Sequence, residues 1–171
     1  GYTGEFVTSP NDAANRKYTK LLQDEEQLKR QLDEIRTIDA HTADGERISV
    51  LVNIGKPSDL SKLGDEKIDG VGLFRSEFLY SSASKKPTKE EQIEAYKKVI
   101  DAVYPNPVTV RTIDVGGDKQ ISYLNMKQEE NPFLGSRGIR LCLDNPDIFA
   151  EQLEALLIAG AGKSIKIMLP M

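Results

Sequence analysis

Four short apolar runs, Arg47 to Ile54, Gly70 to Phe74, Val108 to Ile113 and Ile165 to Leu169, alternate along the chain with stretches that read as helices. This order leaves few folds open. A strand followed by a helix and another strand needs a crossover connection, which makes neighbouring strands parallel. The runs are nearly continuous in apolar character rather than strictly alternating, so the strands are expected to be covered on both faces. The intervening helices carry their own start signals. Ser58 can cap a short helix, and Thr88-Lys89-Glu90-Glu91 is a capping box that opens a helix with Ile93, Tyr96, Val99, Ile100 and Val103 on one face. Asn145-Pro146 is expected to cap another, with Phe149, Leu153, Leu156 and Leu157 at helical spacing and an end near Gly160. No Gly-rich phosphate loop follows the first strand, so the dinucleotide-binding arrangement is excluded. A closed eight-stranded barrel needs about 250 residues. The fold class predicted is therefore α/β, a partial (βα)8 TIM barrel comprising about the first four strands. Such a sheet has open edges, for which self-association is expected.

The barrel-like region is expected over 44–171, after the turn-like Thr42-Ala43-Asp44-Gly45. Before it, Glu5 to Thr8 read as the end of a strand. Ser9-Pro10 offers a helix cap and a first-turn proline. Ala14, Tyr18, Leu21, Leu28, Leu32 and Ile35 then recur at steps of three and four, broken at Glu25, and predict a long amphipathic helix over 10–38 packed on a partner helix. Glu25/Lys29 and Glu26/Arg30 support its exposed face. The chain starts in a strand-like stretch and stops directly after an apolar run, so both ends read as cut.

Composition narrows the function classes. A net charge of -4 argues against a nucleic-acid surface. No apolar run has the length of a membrane span. The lone Cys142 and the absence of a leader fit the cytoplasm. Cys142, among Ile139, Leu141 and Leu143, reads as buried filler. His41, the single histidine, reads as a surface residue. No metal-ligand spacing occurs.

Two arginines stand out by position. Arg75 follows Val71-Gly72-Leu73-Phe74 and Arg111 follows Val108-Thr109-Val110, each at the carboxyl end of a predicted strand, where parallel barrels build their sites. If both face the barrel interior, two guanidinium groups converge on an anion, phosphate or carboxylate, which their planar forks match. The spacing equally permits structural ion pairs, Arg75 with Glu77 and Arg111 with Asp114. Roughly thirty residues separate the third strand from Asn145, far more than a βα connection requires. The stretch holds Asp114, Gly116, Gly117, Asp118 and Lys119, then Glu129, Glu130, Asn131, Arg137 and Arg140, and reads as functional. Arg137 can supply a third guanidinium. The Gly116-Gly117 pair can present backbone amides, although a glycine pair is more often a turn.

At these residues the chain resembles enzyme I, the phosphoenolpyruvate-dependent phosphotransferase family of bacterial sugar uptake. Gly70-Val71-Gly72-Leu73-Phe74-Arg75-Ser76-Glu77-Phe78-Leu79, Val110-Arg111-Thr112-Ile113-Asp114-Val115-Gly116-Gly117-Asp118-Lys119 and the block from Glu129 to Arg140 look like three consecutive signature blocks of that family. Ser76 and Ser136 are mild departures from its pattern. The resemblance implies that residues 1–9 are the tail of a swivelling phosphohistidine domain, 10–38 a linker helix and 44–171 the first half of a phosphoenolpyruvate-binding barrel. It implies Arg75 and Arg111 as phosphate ligands, Arg137 as an additional one, and Asp114 and Lys119 as site-lining residues. It further implies Mg2+, with ligands expected outside this chain, a histidine-containing carrier protein as partner through an N-terminal domain, and a homodimer. The acceptor histidine, metal ligands and proton donor of the family find no match here, so the chain alone is expected to transfer no phosphoryl group. Pyruvate phosphate dikinase and phosphoenolpyruvate synthase share the Arg-Ser/Thr-Glu block, but the Val-Gly-Gly-Asp-Lys block favours enzyme I. A non-catalytic sensory or interaction module is the remaining alternative.

Overall fold

The computed structural model describes residues 4, 6–81, 85–116, 121, 124, 126, 130, 131 and 134–171. Its contacts divide it into two units, 1–39 with 65–67 and 40–64 with 68–171.

In the first unit, α1 spans Asp12–Ile35. Its cap is Asn11, whose side chain accepts a hydrogen bond from the Ala14 amide at 2.8 Å; Ser9-Pro10 lies just outside. Asn11 wins because its carboxamide reaches an orphan first-turn N–H directly. No residue of α1 is buried, so the seam of Tyr18, Leu21, Leu28, Leu32 and Ile35 is exposed, contrary to the packed helix expected from its spacing. Phe6 to Thr8 form no strand either. The helix terminus is tied to 65–67: the Lys67 amide donates to the Arg36 carbonyl at 2.8 Å, and the Lys67 ammonium meets Asp39 at 2.9 Å.

In the second unit, the strand expected over 47–54 is two elements. β1 (Ala40–His41) and β2 (Arg47–Ile48) form a small antiparallel hairpin, and only β3 (Val52–Ile54) joins the main sheet. Asp69 accounts for the break: its carboxylate receives the Val50 amide at 2.8 Å and pairs with Arg47, diverting the backbone between the two strands. A short 3-10 helix (Pro57–Lys62) follows β3. Asp59 in its first turn accepts the amides of Gly55 (3.0 Å) and Lys56 (3.1 Å). Those bonds, with Lys62, hold the Asp59 carboxyl down to about 2.

Strand β4 (Val71–Arg75) leads directly into the short α2 (Glu77–Ser81), and α3 (Lys89–Val103) begins at the expected capping box. Thr88 accepts from the Glu91 amide at 3.2 Å while Glu91 accepts from the Thr88 amide at 2.7 Å. Strand β5 (Val108–Arg111) is followed, past the long connection, by α4 (Ile139–Asp144), α5 (Pro146–Ala159) and β6 (Ile165–Met168). Asn145 does not cap α5 with its side chain; its amide group donates to the Leu141 carbonyl at 2.9 Å and closes α4 instead.

The sheet runs β3-β4-β5-β6, every pair parallel. One face is covered by α3 and α5. Ile54, Val71, Phe74, Val108 and Val110 pack there against Tyr96, Val99, Ile100, Val103, Ala155, Leu156 and Ala159. The ring of Tyr96 meets that of Phe74 edge-on, with centroids 6.1 Å apart. Complete burial of a Val or Ile side chain contributes roughly 2 kcal/mol, so this layer carries the unit's stability. A second core gathers Tyr80, Ile113, Val115, Leu141 and Cys142 beyond the carboxyl end of β5. Burial pushes the Cys142 thiol up to about 11, with help from Asp114. Along β5, Val108 and Val110 are buried while Thr109 and Arg111 are only partly so; along β6, Ile165 and Ile167 join the core while Lys166 and Met168 are exposed. Side chains alternate along a strand. The face opposite the helices therefore carries Thr109, Arg111, Lys166 and Met168, of which Lys166 and Met168 are exposed.

Candidate functional site

The site grows from the register of β4 and β5. Phe74 pairs with Val110, both fully buried toward the helices, so the next pair, Arg75 with Arg111, points to the opposite face. The two arginines are cross-strand neighbours at the carboxyl ends of adjacent parallel strands. A register irregularity between Val71 and Phe74 makes this possible: β4 advances three residues where β5 advances two. Without that extra residue Phe74 would leave the core.

Their surroundings differ. Arg111 is largely sequestered, with its guanidinium held by Glu77 at 2.5 Å and by Asp114 at 3.0 Å. Arg137 binds the other oxygen of Asp114 at 3.0 Å, so this one carboxylate bridges two guanidinium groups. Arg75 is exposed, with its guanidinium 5.3 Å from the centre of the Phe78 ring. The backbone of Gly55 supports that ring: a Cβ at residue 55 would lie 2.7 Å from it. The sequence therefore needs glycine at the end of β3 so that an aromatic platform can lie under Arg75.

Of the ion pairs considered from spacing, Arg111 with Asp114 forms, whereas Glu77 turns to Arg111 rather than to Arg75. Glu77 opens α2 immediately after β4, and this places its carboxylate over the neighbouring strand. Arg111 and Arg137 share Glu77 and Asp114, and Arg75 has no carboxylate partner among the described residues. Glu77 is 3% exposed and one of its oxygens has no hydrogen-bond partner among the described residues; the same holds for the buried Arg111 Nε. Buried groups of this kind are costly unless a polar partner meets them.

Arg137 reaches Asp114 because the backbone around it packs closely on Gly116. Gly116 has φ +129°, and a Cβ there would sit 2.4 Å from the Arg137 Cβ. Gly116 is thus a point of close approach between two backbones. Gly117, Asp118 and Lys119, and Glu129 farther along, lie outside the described residues. Arg140 donates to the Leu134 carbonyl at 2.6 Å, holding its own loop.

Behind the arginines is a buried polar network that sequence reasoning missed. Ser76 donates to the Arg111 carbonyl at 2.6 Å. Gln152 of α5, fully buried, donates to Ser76 Oγ and to the Tyr96 hydroxyl, both at 3.0 Å, and accepts the Ile113 amide at 3.0 Å. Tyr80 donates to Gln92 at 2.9 Å. Burial pushes the Tyr96 phenol up to about 12 against opposing hydrogen bonds from Gln152, Ser76 and Tyr80. The available signal was the placement of Gln92 and Gln152 on helix faces that are otherwise apolar. Among the described residues no group of three or more His, Cys, Asp or Glu side chains gathers as a metal would need. Glu77 and Asp114 are both engaged by Arg111, so these two carboxylates do not fit a Mg2+ site.

Residues 29–171 match the family described as PEP-utilising enzyme, PEP-binding domain. The whole chain is 44% identical to a phosphoenolpyruvate-protein phosphotransferase of Staphylococcus carnosus, 43% identical to one of Staphylococcus aureus and 40% identical to one of Priestia megaterium. It spans 30% of the length of each of these relatives. With a basic site at the carboxyl ends of parallel strands and a family match over most of its length, this chain belongs to the PEP-utilising enzymes, through their PEP-binding domain.

Proposed function

We propose that Arg75 and Arg111 grip the phosphate of phosphoenolpyruvate at the mouth of a (βα)8 barrel, of which residues 44–171 are the first half, in an enzyme that passes the phosphoryl group to a histidine and on to a carrier protein for sugar uptake. The observation that carries this reading is the Arg75–Arg111 register pair, in which the exposed arginine has no carboxylate partner among the described residues. Phosphoryl transfer is largely a matter of positioning and charge stabilisation, and a fixed arginine beside a freer one supplies both. Arg111, held by Glu77 and Asp114, sets the anion's position. Arg75, lying on an aromatic platform, closes on it. Arg137, joined to Asp114, is a further phosphate ligand; Asp114 lines the site, and Lys119, outside the described residues, is assigned the same role by its place in the enzyme I block. In this reading residues 1–9 end a swivelling domain, 10–38 are the linker, Mg2+ is bound by residues beyond those described, and the protein works in the cytoplasm as a homodimer. The names of the relatives support enzyme I over pyruvate phosphate dikinase or phosphoenolpyruvate synthase.

Titrating the chain with phosphoenolpyruvate while observing arginine side-chain resonances tests the site. Arg75 and Arg111 signals are expected to move together, and Arg75→Ala to abolish the response. An Arg75→Ala variant that binds as well as the parent would refute the assignment. Incubated alone with phosphoenolpyruvate and Mg2+, the chain is expected to acquire no acid-labile phosphate.

A further inference from the structure

We infer that Gln152 is a positioning residue that ties together the ends of the two strands bearing Arg75 and Arg111; the inference rests on the anion site proposed above. Its amide group sits behind the sheet, fully buried, in a helix face otherwise formed by Ala155, Leu156 and Ala159. A carboxamide there is costly unless its bonds are satisfied. Both of its donor hydrogens and its carbonyl are used, and the partners are informative. One donor goes to Ser76, the residue directly after Arg75. The carbonyl takes the amide of Ile113, two residues after Arg111. Ser76 in turn donates to the carbonyl of Arg111 itself. The second donor goes to the hydroxyl of Tyr96 on α3, which fixes the amide's plane.

One side chain therefore clamps the carboxyl ends of β4 and β5 at the point where the register pair leaves the sheet. The β4–β5 ladder runs only as far as the Arg75–Arg111 pair, because β4 turns into α2 at Glu77 and β5 ends at Arg111. Beyond it Gln152 and Ser76 join the two strand ends, beside the Glu77–Arg111 ion pair and the Thr112 amide bond to the Met168 carbonyl. An apolar residue of equal size would fill the space and keep α5 on the sheet. It would also leave the Ile113 amide and the Ser76 hydroxyl free to shift, and with them the two guanidinium groups. Displacement of about 1 Å at a positioned group weakens its action up to 100-fold. Gln92 supplies a contrast within the same fold: it is equally buried, but it bonds to Tyr80, Pro87 and Glu151, none of which carries an anion ligand.

The test compares Gln152→Met and Gln92→Met with the parent chain, measuring melting temperature and affinity for phosphoenolpyruvate and, separately, for inorganic phosphate. Both variants are expected to melt lower. Only Gln152→Met should bind phosphoenolpyruvate roughly 10- to 100-fold more weakly. A glutamine that merely pins α5 to the sheet would lower the melting temperature and leave affinity unchanged, and that result, or equal weakening by both variants, would overturn the inference. If Gln152→Met does not fold, Ser76→Ala, which removes only the hydroxyl linking Gln152 to the Arg111 carbonyl, carries the same test; parental affinity in that variant would overturn it. Failure of the parent chain to bind either anion would overturn the anion site itself, an outcome distinct from parental binding retained in the variants.

Discussion

Arg75 and Arg111 share one register position, yet their burial predicts different consequences of substitution. Arg111→Met removes a guanidinium from between Glu77 and Asp114 and leaves a nearly fully buried carboxylate without its cation. Breaking a buried pair in this way costs about 3–5 kcal/mol, so a large drop in melting temperature is expected together with lost anion binding. Arg75→Ala removes an exposed side chain over Phe78, and its cost to stability should stay near 0.5 kcal/mol while anion binding disappears. Urea denaturation of the two variants separates these outcomes; equal destabilisation would contradict the burial difference. Gly116→Ala is a third case, because a Cβ at φ +129° would meet the Arg137 Cβ at 2.4 Å. A loss of about 2 kcal/mol is expected, along with displacement of Arg137 from Asp114.

At the level of elements, helix α3 owes its start to a reciprocal pair of hydrogen bonds between Thr88 and Glu91. Thr88→Ala should cost about 1 kcal/mol, measurable by thermal unfolding, whereas Thr88→Ser should be close to neutral. Helix α1 behaves in the opposite way. Its apolar seam is exposed throughout, so Leu28→Gln should change stability by less than about 0.5 kcal/mol. A larger loss would show that the seam is covered in solution. The sheet has β3 and β6 at its edges, and open edges favour strand pairing between copies; concentration-dependent association on sizing is expected, and a sharp monomer peak at all concentrations would count against it.

Over the whole molecule, the Tyr96 phenol gives the clearest dependence on pH. Its folded value of about 12 lies above the ordinary 10.0, so the folded chain holds this proton more tightly than the unfolded chain. Below pH 10 both states are protonated and the contribution is complete. As pH rises from 10 towards 12 the unfolded state ionises first and stability falls, by of order 3 kcal/mol over the interval. Tyr96→Phe should flatten that alkaline limb at some cost near neutrality, since Gln152 loses an acceptor; an unchanged alkaline limb would show that Tyr96 does not set it.

Local signals in the chain determined the parallel βα order, the capping box at Thr88, and the two arginines at strand ends, because each depends on residues close in sequence: apolar runs, a Thr–Glu spacing of three, a charge directly after a strand. Other features depended on distant partners. Asp69 split one expected strand into two by binding Arg47 and the Val50 amide, and Asn145 closed α4 instead of opening α5. Glu77 chose Arg111 over its sequence neighbour Arg75, and Gln152 reached from α5 to two strand ends. Which polar group satisfies a buried donor or charge is settled by what packing brings within about 3 Å, and only the tertiary structure decides that.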